Sequence, residues 1–133
     1  MNILGCITAL LGFFAVALGA FGAHALKNSA SPEMLNIWQT AVHYQMFHVL
    51  ALLSVILLER LDANVRMQWS IVGWLFVMGC VIFSGSLYLL VITEIQLFGA
   101  ITPIGGSLFL AGWIGLFYCL VTISKKNKPQ LPD

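Results

Sequence analysis

The sequence predicts an all-α integral membrane protein, a four-helix bundle of four transmembrane helices with up-down topology. Hydrophobic residues make up 60% of its 133 residues and charged residues only 8%, whereas a soluble domain carries about 25% charged residues because its surface must be solvated. The mean hydropathy is +0.96. Four apolar stretches are each long enough to cross the roughly 30 Å hydrocarbon core of a bilayer. These observations exclude a soluble globular fold.

The four membrane-spanning helices are expected at residues 3–23, 37–58, 69–92 and 97–123. Acidic and basic side chains fall between or beyond these stretches, because charged groups are costly in hydrocarbon. Only short segments connect the stretches, so consecutive helices are expected to pack as antiparallel neighbours. We therefore expect a single membrane domain over residues 1–133, with a polar cytoplasmic tail at 124–133.

The first stretch has a competing interpretation as a cleaved signal peptide. Ala23-His24-Ala25 resembles the A-x-A pattern of a signal-peptidase site. A signal peptide, however, has a basic region before an apolar core of about 7–15 residues. Residues 1–3 carry no basic side chain and the apolar run is longer. We expect the first stretch to be retained as a helix.

The start of the second helix is marked by Ser31-Pro32-Glu33. Serine is a favoured N-cap, proline is tolerated at the first helical position, and an acidic residue in the first turn interacts well with the helix dipole. The helix is thus expected to begin before the bilayer. Its first turns, which carry Trp38, would lie at the membrane interface, where tryptophan is favoured.

The distribution of Lys and Arg predicts the orientation, since these residues are enriched in cytoplasmic loops. With four spans, the N-terminus, segment 59–68 and the C-terminal tail share one side of the membrane. The basic residues of that side are Arg60, Arg66, Lys125, Lys126 and Lys128, and the other side has only Lys27. We expect the protein in the cell (inner) membrane as a multi-pass protein, with both termini in the cytoplasm and segments 24–36 and 93–96 outside.

Small residues recur at spacings that favour close helix contact. Gly5, Gly12 and Gly19 are seven residues apart in the first span, as are Gly105 and Gly112 in the fourth. Helices in lipid associate largely through tight packing, and small residues let the backbones approach. We interpret these positions as helix contacts.

The run WQTAVHYQMFHVLALL, residues 38–53, brings polar side chains into the second span. At 100° per residue, Tyr44, Gln45 and His48 share one face of the helix, while His43 falls on another side, so the two histidines are not expected to pair. His48 would lie near the middle of the membrane, where an ionisable group usually faces the bundle interior. It therefore needs a polar partner from another helix.

The candidate site is a set of polar residues expected in the outer half of the bundle. They are His24, Tyr44, Gln45, His48, Ser84, Ser86, Tyr88 and Thr102. The first interpretation is an interhelical hydrogen-bond network with a structural or assembly role, each bond contributing about 0.6 kcal/mol. The alternative is a polar pocket, open to the outside, that binds or transports a small solute, a proton or a metal ion.

Pro103, which precedes Gly105-Gly106, also has two interpretations. Proline removes a backbone donor, which would leave a carbonyl free to bond water, a side chain or a ligand. Alternatively, Pro103 lies in the first turn of its helix, where proline is tolerated. We favour the second interpretation.

A membrane enzyme is the third and weakest hypothesis. His48 with Tyr44 or Tyr88 could act in acid–base catalysis, and Ser84 or Ser86 as a nucleophile, but no carboxylate lies within a predicted span to orient the histidine. The three cysteines are far apart in sequence and lack metal-ligand or redox spacing. No catalytic residue, cofactor or metal site is therefore predicted.

The expected partners follow from the same composition. The net charge of +1 does not indicate a nucleic-acid partner. The lipid bilayer is the expected surrounding, and a second copy of the chain or other membrane proteins are the expected protein partners.

Four runs of the sequence together resemble a known family. They are GAFGAHALK at 19–27, WQTAVHYQMFHVLALL at 38–53, FSGSLYLL at 83–90 and GAITPIGGSLFLAGW at 99–113. In this order they are similar to the uncharacterised YgdD/YwdK-type family of small multi-pass bacterial inner-membrane proteins, which contain a domain of unknown function. The resemblance covers nearly the whole chain and implies a four-helix integral membrane protein without an established activity.

Overall fold

The computed structural model describes residues 3–61 and 66–126, which are mainly helical. The helices are α1 (Ile3–His24), α2 (Pro32–Leu61), α3 (Arg66–Gly79), α4 (Gly85–Thr93) and α5 (Leu97–Lys126). A π-helical turn, Cys80–Ser84, joins α3 to α4, so the two form one continuous element. Within the described residues, four elements are long and apolar enough to cross a membrane. The predicted all-α, four-helix membrane fold is confirmed.

The helix ends agree closely with the sequence signals. The backbone N–H of Met34 donates to Ser31 Oγ at 3.2 Å, so Ser31 caps α2, which begins at Pro32. α5 continues to Lys126 and thus includes the first residues of the predicted polar tail. The rest of that tail, 127–133, lies outside the described residues, as do residues 1–2 and 62–65.

The helices run antiparallel to their neighbours in sequence. Trp38 near the start of α2 packs on Tyr88 near the end of α4, with ring centroids 4.7 Å apart. Segments 25–31 and 94–96 therefore lie at the same end of the bundle, the 25–31 end. α1 packs mainly against α2, whereas α3, the π-helical turn and α4 pack between α2 and α5. α1 is consequently an outer helix.

Two clusters of apolar side chains form the core. The cluster nearer the 25–31 end contains Trp38, Ala41, Val42, Leu87, Tyr88 and Val91. The second cluster extends from the middle of the bundle to the opposite end and includes Leu52, Val55, Trp69, Phe76, Phe109 and Leu116. The polar residues of the candidate site lie beside and between these clusters.

Glycines mark the closest helix contacts. A methyl group at Gly19 would lie 3.3 Å from Val42 Cγ1, and one at Gly12 would lie 3.4 Å from Val49 Cγ1. At Gly105 it would meet the backbone of Phe83, so α5 touches the π-helical turn backbone to backbone. Gly12, Gly19 and Gly105, which the spacing singled out, are therefore helix contact positions.

Pro103 is inside α5, six residues after its start at Leu97 and thus about one and a half turns or more into the helix, so the expectation that it lies in the first turn is wrong. Proline has no N–H to donate to the carbonyl four residues earlier, that of Gly99. The hydroxyl of Ser107 donates to the carbonyl of Pro103 at 3.0 Å. The helix continues through the proline.

Candidate functional site

Gln45 links three helices. Its side-chain amide nitrogen donates to the carbonyl of Leu11 in α1 at 2.8 Å, and its amide oxygen accepts from the hydroxyl of Tyr88 in α4 at 3.0 Å. Gln45 is buried, so these bonds form away from competing solvent. Gln45 thereby connects α1, α2 and α4.

Trp38 supplies a second link between α1 and α2. Its indole N–H donates to the carbonyl of Leu18 at 2.8 Å, and the ring is buried. Gly22 packs directly on this ring. Trp38 was expected at the membrane interface, and this inward contact was not predicted from the sequence.

The serines of the FSGSLYLL run bond to the helices on either side. Ser84 donates to the carbonyl of Ala41 in α2 at 2.9 Å. Ser86 lies 2.8 Å, hydroxyl to hydroxyl, from Thr102 in α5, and it also donates to the carbonyl of Phe83 at 2.9 Å. The π-helical turn and α4 are thereby held to both α2 and α5.

His48 links α2 to α5. Its Nδ1 lies 2.8 Å from the carbonyl of Tyr44, and its Nε2 accepts from the indole N–H of Trp113 at 3.2 Å. A carbonyl can only accept and an indole N–H can only donate. The ring therefore carries its proton on Nδ1 and is neutral. Phe109 stacks on it, with centroids 3.5 Å apart.

These bonds satisfy nearly all of the buried side-chain polar groups. In the part of the chain that the structure describes, Trp69 Nε1 is the one buried side-chain nitrogen or oxygen without a hydrogen-bond partner. Six of the eight candidate residues, Gln45, His48, Ser84, Ser86, Tyr88 and Thr102, take part in contacts between helices. All of these bonds join neutral groups. We call these six residues, together with Trp38 and Trp113, the interhelical network.

His24 and Tyr44 are placed differently from the other candidates. His24 lies exposed at the end of α1, and none of the hydrogen bonds among the described residues joins it to the network. Tyr44 is 45% exposed, and its ring stacks on Phe83 with centroids 4.4 Å apart. Neither side chain forms a hydrogen bond with those six residues in the described part of the chain, although the carbonyl of Tyr44 bonds to Nδ1 of His48 and the two rings stack. The grouping of all eight residues into one site stays a prediction.

A cavity of about 740 Å³ lies between α2 and α5. We call it the α2–α5 groove. Its lining residues are His43, Tyr44, Phe47, His48, Phe83, Pro103, Gly106, Ser107, Phe109, Leu110 and Trp113. Only two of the eight candidates, Tyr44 and His48, belong to this lining. The other six candidates do not line this groove.

His43 and His48 line the same groove, although at 100° per residue they fall on different sides of α2. The groove is wide enough to span both positions. His43 also lines a smaller cavity of about 320 Å³ between α1 and α2, together with Gln39 and Trp38. Most of the groove was not predicted from the sequence, because most of its α5 residues, such as Gly106, Phe109 and Leu110, carry no polar signal. The aromatic spacing of Tyr44, Phe47 and His48 on α2 was the available clue.

The comparisons with known proteins agree with this fold. The family model described as "Protein of unknown function (DUF423)" matches residues 18–106. A UPF0382 membrane protein of Staphylococcus saprophyticus is 47% identical over 114 residues, which cover 86% of this chain and 90% of the relative. The UPF0382 membrane protein YwdK of Bacillus subtilis is 46% identical over 112 residues, 84% of this chain and 88% of the relative. No solved structure matches the chain.

These similarities confirm the resemblance drawn from the four sequence runs. The names of the relatives describe membrane proteins and state no molecular activity. The matched region extends from the second half of α1 to the first turns of α5, and it contains every residue of the interhelical network except Trp113. The chain belongs to the DUF423 family of membrane proteins of unknown function.

Proposed function

We propose that this protein has a structural or assembly role in the membrane and is not an enzyme. The observation that carries the proposal is the use of the buried polar side chains: they bond to neighbouring helices of the same chain. Such bonds hold the helices in a fixed register, and a rigid bundle presents constant outer faces to lipid and to other membrane proteins. α1 and α5 provide most of that outer surface, because the spans of both are mainly unburied.

Binding or transport of a small solute, proton or metal ion is the second candidate. The α2–α5 groove favours it, since a cavity of about 740 Å³ reaches His48. Two observations make this candidate weaker than the structural or assembly role. Both ring nitrogens of His48 are already bonded, and most of the groove lining is aromatic or aliphatic, which does not replace the hydration of an ion.

Flux and assembly measurements separate the two candidates. Proteoliposomes should show no more proton or glycerol flux than empty liposomes, and blue-native electrophoresis of gently solubilised membranes should find the chain in a discrete assembly with itself or another protein. If the protein migrates only as a monomer in blue-native electrophoresis, the assembly role is contradicted. Flux that His48→Gln abolishes would favour transport.

We also propose that the protein lies in the inner membrane with both termini in the cytoplasm. The support is the excess of Lys and Arg at the end of the bundle opposite the 25–31 end. A C-terminal green fluorescent protein fusion should fluoresce, and alkaline phosphatase fused after Asn28 should be active. A non-fluorescent C-terminal fusion together with an inactive phosphatase would show that the topology is the opposite one.

A further inference from the structure

His43 is a polar side chain in a costly position. It lies about 16 Å along α2 from Pro32 at 1.5 Å per residue, within the membrane-spanning part of the helix. Its side chain is exposed and makes no hydrogen bond with another described residue. An ionisable side chain in this part of a membrane usually faces a cavity or a partner. His43 lines both the α2–α5 groove and the smaller cavity beside it.

The walls of the α2–α5 groove suit a flat ring. Five aromatic side chains line it: Tyr44, Phe47, Phe83, Phe109 and Trp113. Aromatic faces and edges pack favourably against another π system. The volume of about 740 Å³ is typical of a small-molecule site, for which the usual range is about 300–1,000 Å³.

The charge of the groove excludes a phosphate headgroup. No Asp, Glu, Lys or Arg is among the residues that line it, whereas phosphate recognition uses Arg, Lys or clustered backbone N–H groups. Phe47 and Leu110 at its margin are 59% and 67% exposed, so the groove opens on the flank that faces lipid. A neutral occupant would enter from the bilayer.

Two hydrogen-bond donors mark the groove. His43 and Tyr44 both line it, and neither the imidazole of His43 nor the hydroxyl of Tyr44 donates a hydrogen bond to another described residue. A ring with two carbonyl oxygens matches two donors, whereas a sterol has one hydroxyl and no π system. His48 is not available to a ligand, because both of its ring nitrogens are bonded.

We propose that the α2–α5 groove binds a flat, neutral ring that carries two carbonyl oxygens and a hydrocarbon tail, the chemistry of isoprenoid quinones. The ring lies among the aromatic walls and accepts hydrogen bonds from His43 and Tyr44, and the tail follows the lipid-facing flank. The inference concerns binding only and is independent of the structural role proposed above.

The test is photolabelling of the intact protein in nanodiscs with a short-chain azidobenzoquinone, followed by mass spectrometry of the labelled peptides. Labelling should saturate, concentrate in residues 43–48 and 103–113, and be displaced by decylubiquinone. His43→Leu and Tyr44→Phe should each weaken the competing affinity by about two- to tenfold, the range expected for one hydrogen bond.

Gly106→Leu should abolish saturable labelling because it fills the groove. A methyl group at Gly106 meets only the Phe83 ring, at 3.9 Å, so the backbone can accept the change. Ala111→Leu, on the same helix but outside the lining, is the matched control and should label like wild type. Thermal unfolding of both variants verifies that they are folded.

Three results would overturn the proposal. Labelling spread along all lipid-facing helices without displacement by decylubiquinone would mean that bulk lipid fills the groove. Equal labelling of Gly106→Leu and Ala111→Leu would place the probe elsewhere. Displacement by phosphatidylglycerol as effective as that by decylubiquinone would identify a phospholipid chain as the occupant.

Discussion

The indole N–H of Trp113 in α5 donates a hydrogen bond to Nε2 of His48 in α2 over 3.2 Å, while Nδ1 of the same ring is bonded to the carbonyl of Tyr44. A proton on Nε2 would place two donors opposite each other. The contact therefore fixes one neutral tautomer of His48 near the middle of the membrane and ties α2 to α5 at the edge of the α2–α5 groove.

Trp113→Phe should destabilise the bundle, because it removes the donor and leaves Nε2 of His48 without its partner. The expected loss in the free energy of unfolding is about 0.6–1.7 kcal/mol, from the average to the maximum measured for hydrogen bonds between membrane helices. Unfolding in mixed micelles, followed by circular dichroism, measures it. Trp74→Phe, a comparably exposed tryptophan on α3, is the control and should cost less. An equal loss of unfolding free energy in the two variants would show that the loss comes from the smaller ring and not from the missing hydrogen bond.

Gln45→Leu and Tyr88→Phe should show coupled effects on stability. Tyr88→Phe removes one bond of Gln45 and leaves its contact with the Leu11 carbonyl intact. Gln45→Leu removes both bonds and is expected to cost more. The double-mutant cycle isolates the bond between the two side chains, with an expected coupling of about 0.6 kcal/mol. Strict additivity would mean that this bond contributes nothing to stability.

Gly105→Ala should be much more destabilising than Gly106→Ala. The added methyl group at Gly105 would collide with the backbone of Phe83, whereas the one at Gly106 meets only the Phe83 ring at 3.9 Å. Overpacking costs about 1–3 kcal/mol, and an alanine without a clash gains up to about 1 kcal/mol in a helix through its higher propensity. Unfolding curves of the two variants provide the comparison. Similar stabilities would contradict the close approach of α5 to the π-helical turn.

Much of the fold could be predicted from the sequence because lipid imposes simple requirements. Uninterrupted apolar stretches defined the four spans, and Ser31-Pro32 marked the start of α2. The spacing of Gly12 and Gly19 indicated where α1 contacts α2, since only small residues allow that approach. These signals are local, so they can be recognised without knowing which helix lies opposite.

The sequence contains no comparable signal for the π-helical turn. The hydropathy of Cys80–Ser84 continues that of its neighbours, and the turn lies where Phe83 meets Gly105 of α5, a tertiary contact. The hydrogen-bond acceptors of the interhelical network could not be predicted from the sequence either. Gln45, Trp38 and Ser84 donate to the backbone carbonyls of Leu11, Leu18 and Ala41, and any residue type has such a carbonyl. The helical wheel gave the face of each donor and not its partner.

Whether the polar side chains of the bundle hold its helices together can be tested through the protonation of His48. Histidine-labelled protein in lipid bilayers can be followed by ¹⁵N solid-state NMR between about pH 5 and about pH 8, the range in which an accessible histidine changes charge. His48→Gln assigns the signal. We expect one protonated and one unprotonated ring nitrogen throughout this range. Two protonated nitrogens at the acidic end would contradict it, because they would show that protons reach His48 and displace the Trp113 bond.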